Sequence, residues 1–176
     1  NVAEDASAIP LIRDLAQQGC KLIFTTSYGY MDQTLQVASE FPDVKFEHAT
    51  GFKRADNVST YNSKFHEGRA VLGTIAGKLS KSGTLGYLGS YKVPEEALGV
   101  DSFALSAQKQ NPDAKVKLVF INSWFDPPKE AAATETLLNL GCDVVTTHTD
   151  SPAALQILEQ RGLFGFGQGA DMSSFA

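Results

Sequence analysis

The chain has 176 residues, 43% of them hydrophobic and 20% charged, with a formal net charge of -5. A chain of that size buries a core without disulfide or metal staples, and no run of about 18 apolar residues offers a membrane span. The 15 lysines and arginines are scattered among 20 acidic residues, which argues against a nucleic-acid surface, and the local group Arg69, Lys78 and Lys81 reads as a solvated helix face.

The opening "NVAEDASAIP" lacks the basic and apolar segments of a signal peptide and reads as the tail of a strand followed by a helix cap. Asp5 or Ser7 caps a first helix running to Gln18, with Ile9, Ile12, Leu15 and Ala16 on one face and Gly19 at its end. A buried strand is predicted over 21–26, a helix over 30–40 stopped by Pro42, and a second strand over 44–48. The stretch from Val58 begins extended and becomes a long helix that turns Phe65, Val71, Leu72, Ile75, Ala76 and Leu79 inward. Gly68, Gly73 and Gly77 lower its helix propensity, so they mark close helix packing.

After Ser82-Gly83 the pattern restarts. Strands are predicted over 84–88, 116–122, 143–148 and 163–167, with helices over 94–110, 128–140 and 152–161 between them. Uninterrupted runs such as "LVFI" suit a parallel sheet covered on both faces. The fold class is therefore α/β of the doubly wound kind.

Two phrases echo each other, "QQGCKLIFTTSYG" at 17–29 and "NLGCDVVTTHTDS" at 139–151. Two readings stand: two similar lobes whose strand ends line a cleft, or common α/β grammar in which a glycine ends a helix before a strand. Cys20 and Cys142 open the echoed strands, and no CxxC or Cys/His spacing gives them a metal or redox role.

The loops after the strands hold Tyr28, Tyr30, Tyr91, Trp124 and Phe125 among small polar groups, including Asp32, Asp126, Gln168 and Asp171. Flat aromatics with a few donors and acceptors suit a planar, hydrogen-bonding small molecule. Trp124 falls just after a buried strand and before Asp126-Pro127-Pro128, which fixes a helix start. It either contacts a ligand or covers the core, and Asp126 and Asp32 read equally as helix caps. Ser27, His148 and Asp150 assemble a triad only on paper, since no G-x-S-x-G elbow is present. His148 reads as a residue that orders its loop. No phosphate loop, metal cluster or cofactor motif is present, so the pattern points to binding rather than catalysis.

Long stretches resemble the basic membrane protein family, PnrA-like, of substrate-binding proteins for purine nucleosides and related compounds. They include "TTSYGYMD", "FPDVKFEHATG", "NSWFDPPKE", "HTDSP" and "GFGQGADM". The resemblance implies a type I periplasmic-binding-protein architecture of two Rossmann-like lobes. Residues 1–82 would form most of lobe one, without its first strand and helix, and 83–176 most of lobe two, up to the crossover back. The chain thus reads as an internal piece of a longer protein.

By motif match the ligand residues are Tyr28 and Asp32, Trp124 and Phe125, and Gln168 and Asp171. Where nucleoside binders carry an acidic residue suited to ribose hydroxyls, this chain has Gly169 preceded by Gln168, which suits a bare nucleobase as well as a nucleoside. Leu98 stands where the family often has arginine. The implied partners are a purine base or nucleoside and an ABC transporter permease, with no cofactor. The implied location is periplasmic or membrane-anchored, through a lipid anchor outside this stretch. A ligand-sensing domain of a regulator and a nucleoside-processing enzyme are the alternatives, and fold alone does not choose among them.

Overall fold

The structure is a computed structural model that describes residues 2–175; residues 1 and 176, the outer ends of the two expected lobes, lie outside the described residues. The chain divides into two compact units, Asn1–Ser63 and Lys64–Ala176, each with its own parallel sheet.

In the first unit, α1 (Ala8–Gln17) and α2 (Met31–Glu40) pack on one face of a sheet ordered β1 (Leu22–Thr25), β2 (Lys45–Ala49) and β3 (Val58–Tyr61). Ile12, Ile23, Val37, Phe46 and Val58 make its core. The first strand was expected to be buried on both faces, but it alternates. Ile23 and Thr25 are buried, whereas Leu22 and Phe24 are 51% and 56% exposed, because both helices lie on the same side. On the open face Phe24 meets Tyr61 edge-on with ring centroids 6.2 Å apart. Asn57 fastens the turn between α2 and β2: its amide lies 3.0 Å from the carbonyls of Ala38, Phe41 and Val44.

The second unit runs α3 (Phe65–Leu79), β4 (Thr84–Gly89), α4 (Pro94–Gln110), β5 (Lys115–Phe120), α5 (Pro127–Asn139), β6 (Val144–Thr147), α6 (Ala153–Gln160) and β7 (Phe164–Phe166). Its strands lie in the order β5-β4-β6-β7, all parallel. β4 feeds both faces. Leu85 and Tyr87 join Ala76 and Phe103 of α3 and α4, and Leu88 joins Leu137 and Leu158 of α5 and α6. The burial on both faces expected from the apolar runs holds for the central strands β4 and β6. The edge strand β5, which carries most of the "LVFI" run, leaves Leu118 41% exposed, and Phe164 of β7 is exposed too.

Two further expectations change. The helix α3 belongs to the second compact unit and packs against α4. The side of α3 that makes this contact is not its apolar one. Arg69, Gly73, Ala76 and Gly77 are buried, whereas Val71, Ile75 and Leu79 are exposed. A Cβ on Gly77 would stand 2.5 Å from the Ala107 carbonyl oxygen, and one on Gly73 would collide with the carbonyl of Phe103. The glycines therefore let two helix backbones touch. Arg69, read as solvated, lies on that same buried stripe at 2% exposure.

The echoed phrases fold alike. Gly19 and Gly141 have φ of +92° and +87°, and the following cysteine N–H bonds back to Leu15 and Leu137 at 3.2 Å in both cases. Gly162 repeats the turn with φ of +65° and a bond from Leu163 to Leu158 at 2.9 Å, without any shared phrase. The geometry is thus general helix-to-strand grammar.

The glycine stripe predicts opposite outcomes for two alanine substitutions in one helix. Gly73→Ala should destabilise by about 1–3 kcal/mol through overpacking. Gly68→Ala, where a Cβ would meet nothing within 4 Å, should be neutral or stabilising by up to ~1 kcal/mol. Urea unfolding of the two variants measures the difference, and equal effects would contradict close α3–α4 contact.

Candidate functional site

The strand order of the second unit reverses at β4, whose neighbours β5 and β6 leave in opposite directions. Ligands of open α/β sheets sit outside the carboxyl ends of strands at such a point. The residues there are Ser90 and Tyr91 after β4, Trp124 after β5, His148 after β6 and Gln168 after β7.

Each loop is built rigidly. Asn122 takes the left-handed backbone conformation, φ +54°, that asparagine tolerates, and its N–H bonds to the Ser90 carbonyl at 2.8 Å. Asp126 caps α5 by accepting from the Lys129 N–H at 3.1 Å, while Glu130 accepts in return from the Asp126 N–H at 3.1 Å. The other Glu130 oxygen accepts from the hydroxyls of Thr149, at 2.8 Å, and Ser151, at 2.6 Å. One buried carboxylate therefore ties the Trp124 loop to the loop after β6, and the Asp150 N–H bonds to the Trp124 carbonyl at 2.9 Å.

Trp124 is half-buried, with its ring centroid 5.0 Å from Tyr91 and 6.4 Å from His148. His148 is buried, with Nδ1 3.4 Å from the Tyr87 hydroxyl and Nε2 3.5 Å from Glu95. Phe65 meets its ring at 6.3 Å. Behind it, Arg69 lies over the Tyr87 ring at 5.3 Å and donates to the Thr146 hydroxyl at 2.7 Å, the Thr147 carbonyl at 2.8 Å and the Gln168 side-chain oxygen. A continuous set of contacts thus runs from Trp124 to Gln168. Burial pushes the Tyr87 hydroxyl up to about 12 and the Arg69 guanidinium below its ordinary value.

The sequence candidates fall into separate groups. Trp124 and Gln168 join this network; Phe125, beside Trp124, is 63% exposed. Asp171 is exposed, and hydrogen bonding from the Ser173 side chain and from the Ser173 N–H, 3.0 Å away, holds its carboxyl below the usual range. It lies in the wall of a cavity of about 650 Å³ beside β7, together with Leu72, Leu155 and Met172. Tyr28 and Asp32 belong to the first unit. Tyr28 is half-buried against Phe52 at 6.3 Å, and exposed Asp32 pairs with Lys53 at 2.7 Å. Nearby, Thr50 after β2 has φ +61°, a strained conformation for a β-branched residue, and Gly51 leaves no room for a Cβ against the His48 ring.

Tyr87, Glu95, Glu96 and Glu130 escaped the sequence reading, and Arg69 entered it only as a solvated residue. The available signal was an arginine on a stripe with Gly73, Ala76 and Gly77, and paired acids just inside the proline that opens α4. Among the described residues no group of three or more His, Cys, Asp or Glu is arranged to hold a metal.

Glu96 is fully buried and accepts through one oxygen from the Ser90 and Tyr91 N–H groups, at 2.7 Å and 3.2 Å, and from the Ser90 hydroxyl. Its second oxygen has no hydrogen-bond partner. Burial raises its pKa above the ordinary carboxylate value of 4.5, against the pull of His148 and these donors. Above 4.5 the folded protein keeps a proton that the unfolded chain has lost, so stability falls as pH rises through the raised folded value. Glu96→Gln keeps an accepting oxygen and removes that slope. Its unfolding free energy should gain on the wild type as pH rises through this window; a variant losing ground at neutral pH would contradict the assignment.

The ABC transporter substrate-binding proteins described as PnrA-like match this chain over residues 1–176. The chain is 57% identical over 176 residues to a purine-binding protein of Brucella abortus (strain 2308), an alignment covering 100% of this chain and 50% of that protein. A Haloferax volcanii relative that carries the name of an ABC transporter glucose-binding protein is 36% identical over 160 residues, 91% of this chain and 41% of its own length. The chain therefore spans about half the length of the curated relatives it matches. The crystal structure of an ABC transporter solute-binding protein from Aeropyrum pernix K1 superposes with a TM-score of 0.75 at 19% identity, over 94% of this chain and 50% of that one, a likeness of fold. The fold is that of type I periplasmic binding proteins, and the chain belongs to the PnrA-like family of ABC transporter substrate-binding proteins.

Proposed function

We propose that this chain is part of a solute-binding protein that captures a purine base or nucleoside and presents it to an ABC transporter permease. The observation that carries the reading is the Tyr91–Trp124–His148 set at the switch point of the second sheet, on a chain 57% identical to a purine-binding protein. In this reading Trp124 stacks on the purine, with Phe125 at its rim. Gln168 pairs with a polar edge of the ring. Asp171, beyond β7, is a further ligand contact. The protein binds its solute unchanged and works on the extracytoplasmic side of the membrane. No helix among the described residues is long and apolar enough to cross a membrane.

Calorimetric titration of the full-length protein with adenine, adenosine, guanosine, ribose and glucose tests the assignment. Purine binding is expected without binding of either sugar. Trp124→Ala should weaken it by about 1–3 kcal/mol, the usual worth of one base–aromatic stack. Binding of glucose without any purine would overturn the reading, and recovery of the purine altered after incubation would overturn the non-catalytic part.

A further inference from the structure

A guanidinium carries five N–H donors and no acceptor. The side-chain atom that Gln168 turns toward Arg69 is therefore its oxygen, and the carboxamide nitrogen lies on the opposite side. Reversing the amide would set N–H groups against N–H groups beside a positive charge. Arg69 cannot swing away to accommodate this. It is 2% exposed, its Nη1 is bound to Thr146 at 2.7 Å and its Nη2 to the Thr147 carbonyl at 2.8 Å, and its plane lies over Tyr87 at 5.3 Å. Its helix is pressed onto α4 through Gly73 and Gly77. The Gln168 nitrogen belongs to a half-buried side chain just past β7, beside the strand that carries His148 and, through it, Trp124.

We propose that Arg69 is a positioning residue that locks the Gln168 carboxamide in one orientation, so that Gln168 meets the ligand only as a hydrogen-bond donor and selects purines with a lone-pair acceptor on that edge. The inference rests on the purine reading above and narrows it. The atom read is a ring nitrogen, and an analogue carrying C–H in its place leaves the donor unpaired. A site built around a fixed polar group rejects such an analogue more strongly than an adaptable one does.

The test is titration of the full-length protein with adenine and its 1-, 3- and 7-deaza analogues, in the wild type and in Gln168→Ala, Gln168→Glu and Arg69→Lys. The wild type should bind one deaza analogue roughly 10- to 100-fold more weakly than adenine. Gln168→Ala should bring that ratio close to one, and Gln168→Glu, which offers only acceptors, should lose adenine affinity by at least about tenfold. Arg69→Lys keeps the charge but not the planar fork, so the ratio should shrink while thermal unfolding stays cooperative. A change in ratio, rather than in affinity alone, separates positioning from mere scaffolding. Both Gln168 substitutions sit in a partly exposed loop, so they remain informative if the buried Arg69 variant does not fold. Adenine binding with all deaza analogues equal to it, or discrimination surviving in Gln168→Ala, overturns this inference and leaves the purine reading standing. Full discrimination in folded Arg69→Lys removes the role of Arg69. Failure of the wild type to bind any purine overturns both.

Discussion

The carboxyl edge of the second sheet depends on how closely α3 lies on α4. Two glycines bring the helix backbones into contact, and the stripe that carries them also carries Arg69. A buried guanidinium is tolerable only where its N–H groups are satisfied, since a desolvated and unpaired charge costs far more than one hydrogen bond returns. Arg69 meets that demand by reaching the ends of β6 and β7 and lying on Tyr87. The backbone contact thus sets the height of the arginine, and the arginine sets the loops above it.

A second constraint works on the other face. Glu130 closes the cap of α5 and also receives two hydroxyls from the loop after β6. The loops holding Trp124 and His148 therefore share one anchor, and the distance between the two rings follows from it rather than from their own contact. An aromatic wall held in this way loses little rotamer freedom when a flat molecule arrives, which is how a preorganised site gains affinity. The buried polar groups thus serve the site from behind, and their cost is offset by the order they impose.

Much of the fold was legible because glycine and proline punctuate the apolar runs. α4 has the limits predicted for it, with Pro94 opening it, and the buried central strands β4 and β6 of the second sheet follow from their apolar runs. The reading failed where hydrophobicity and contact part company. Val71, Ile75 and Leu79 look like the inward face of α3, yet backbone contact through small residues wins. At the site, Trp124 announces itself by following a strand and preceding Asp126-Pro127-Pro128. Its partners come from other strands, and only the sheet order brings Tyr91 and His148 beside it. Asp171, grouped with Gln168 by its motif, is instead held by its own turn at Ser173.

The charge of Arg69 has a kinetic meaning as well. It feels Glu96 and Glu95 nearby, and its Nη1 and Nη2 groups donate to Thr146, Thr147 and Gln168. A positive group so balanced projects little field beyond the surface, and a neutral heterocycle offers nothing for such a field to pull. Encounter with a purine would then be governed by diffusion and loop access rather than by electrostatic steering, and its rate would change little with ionic strength.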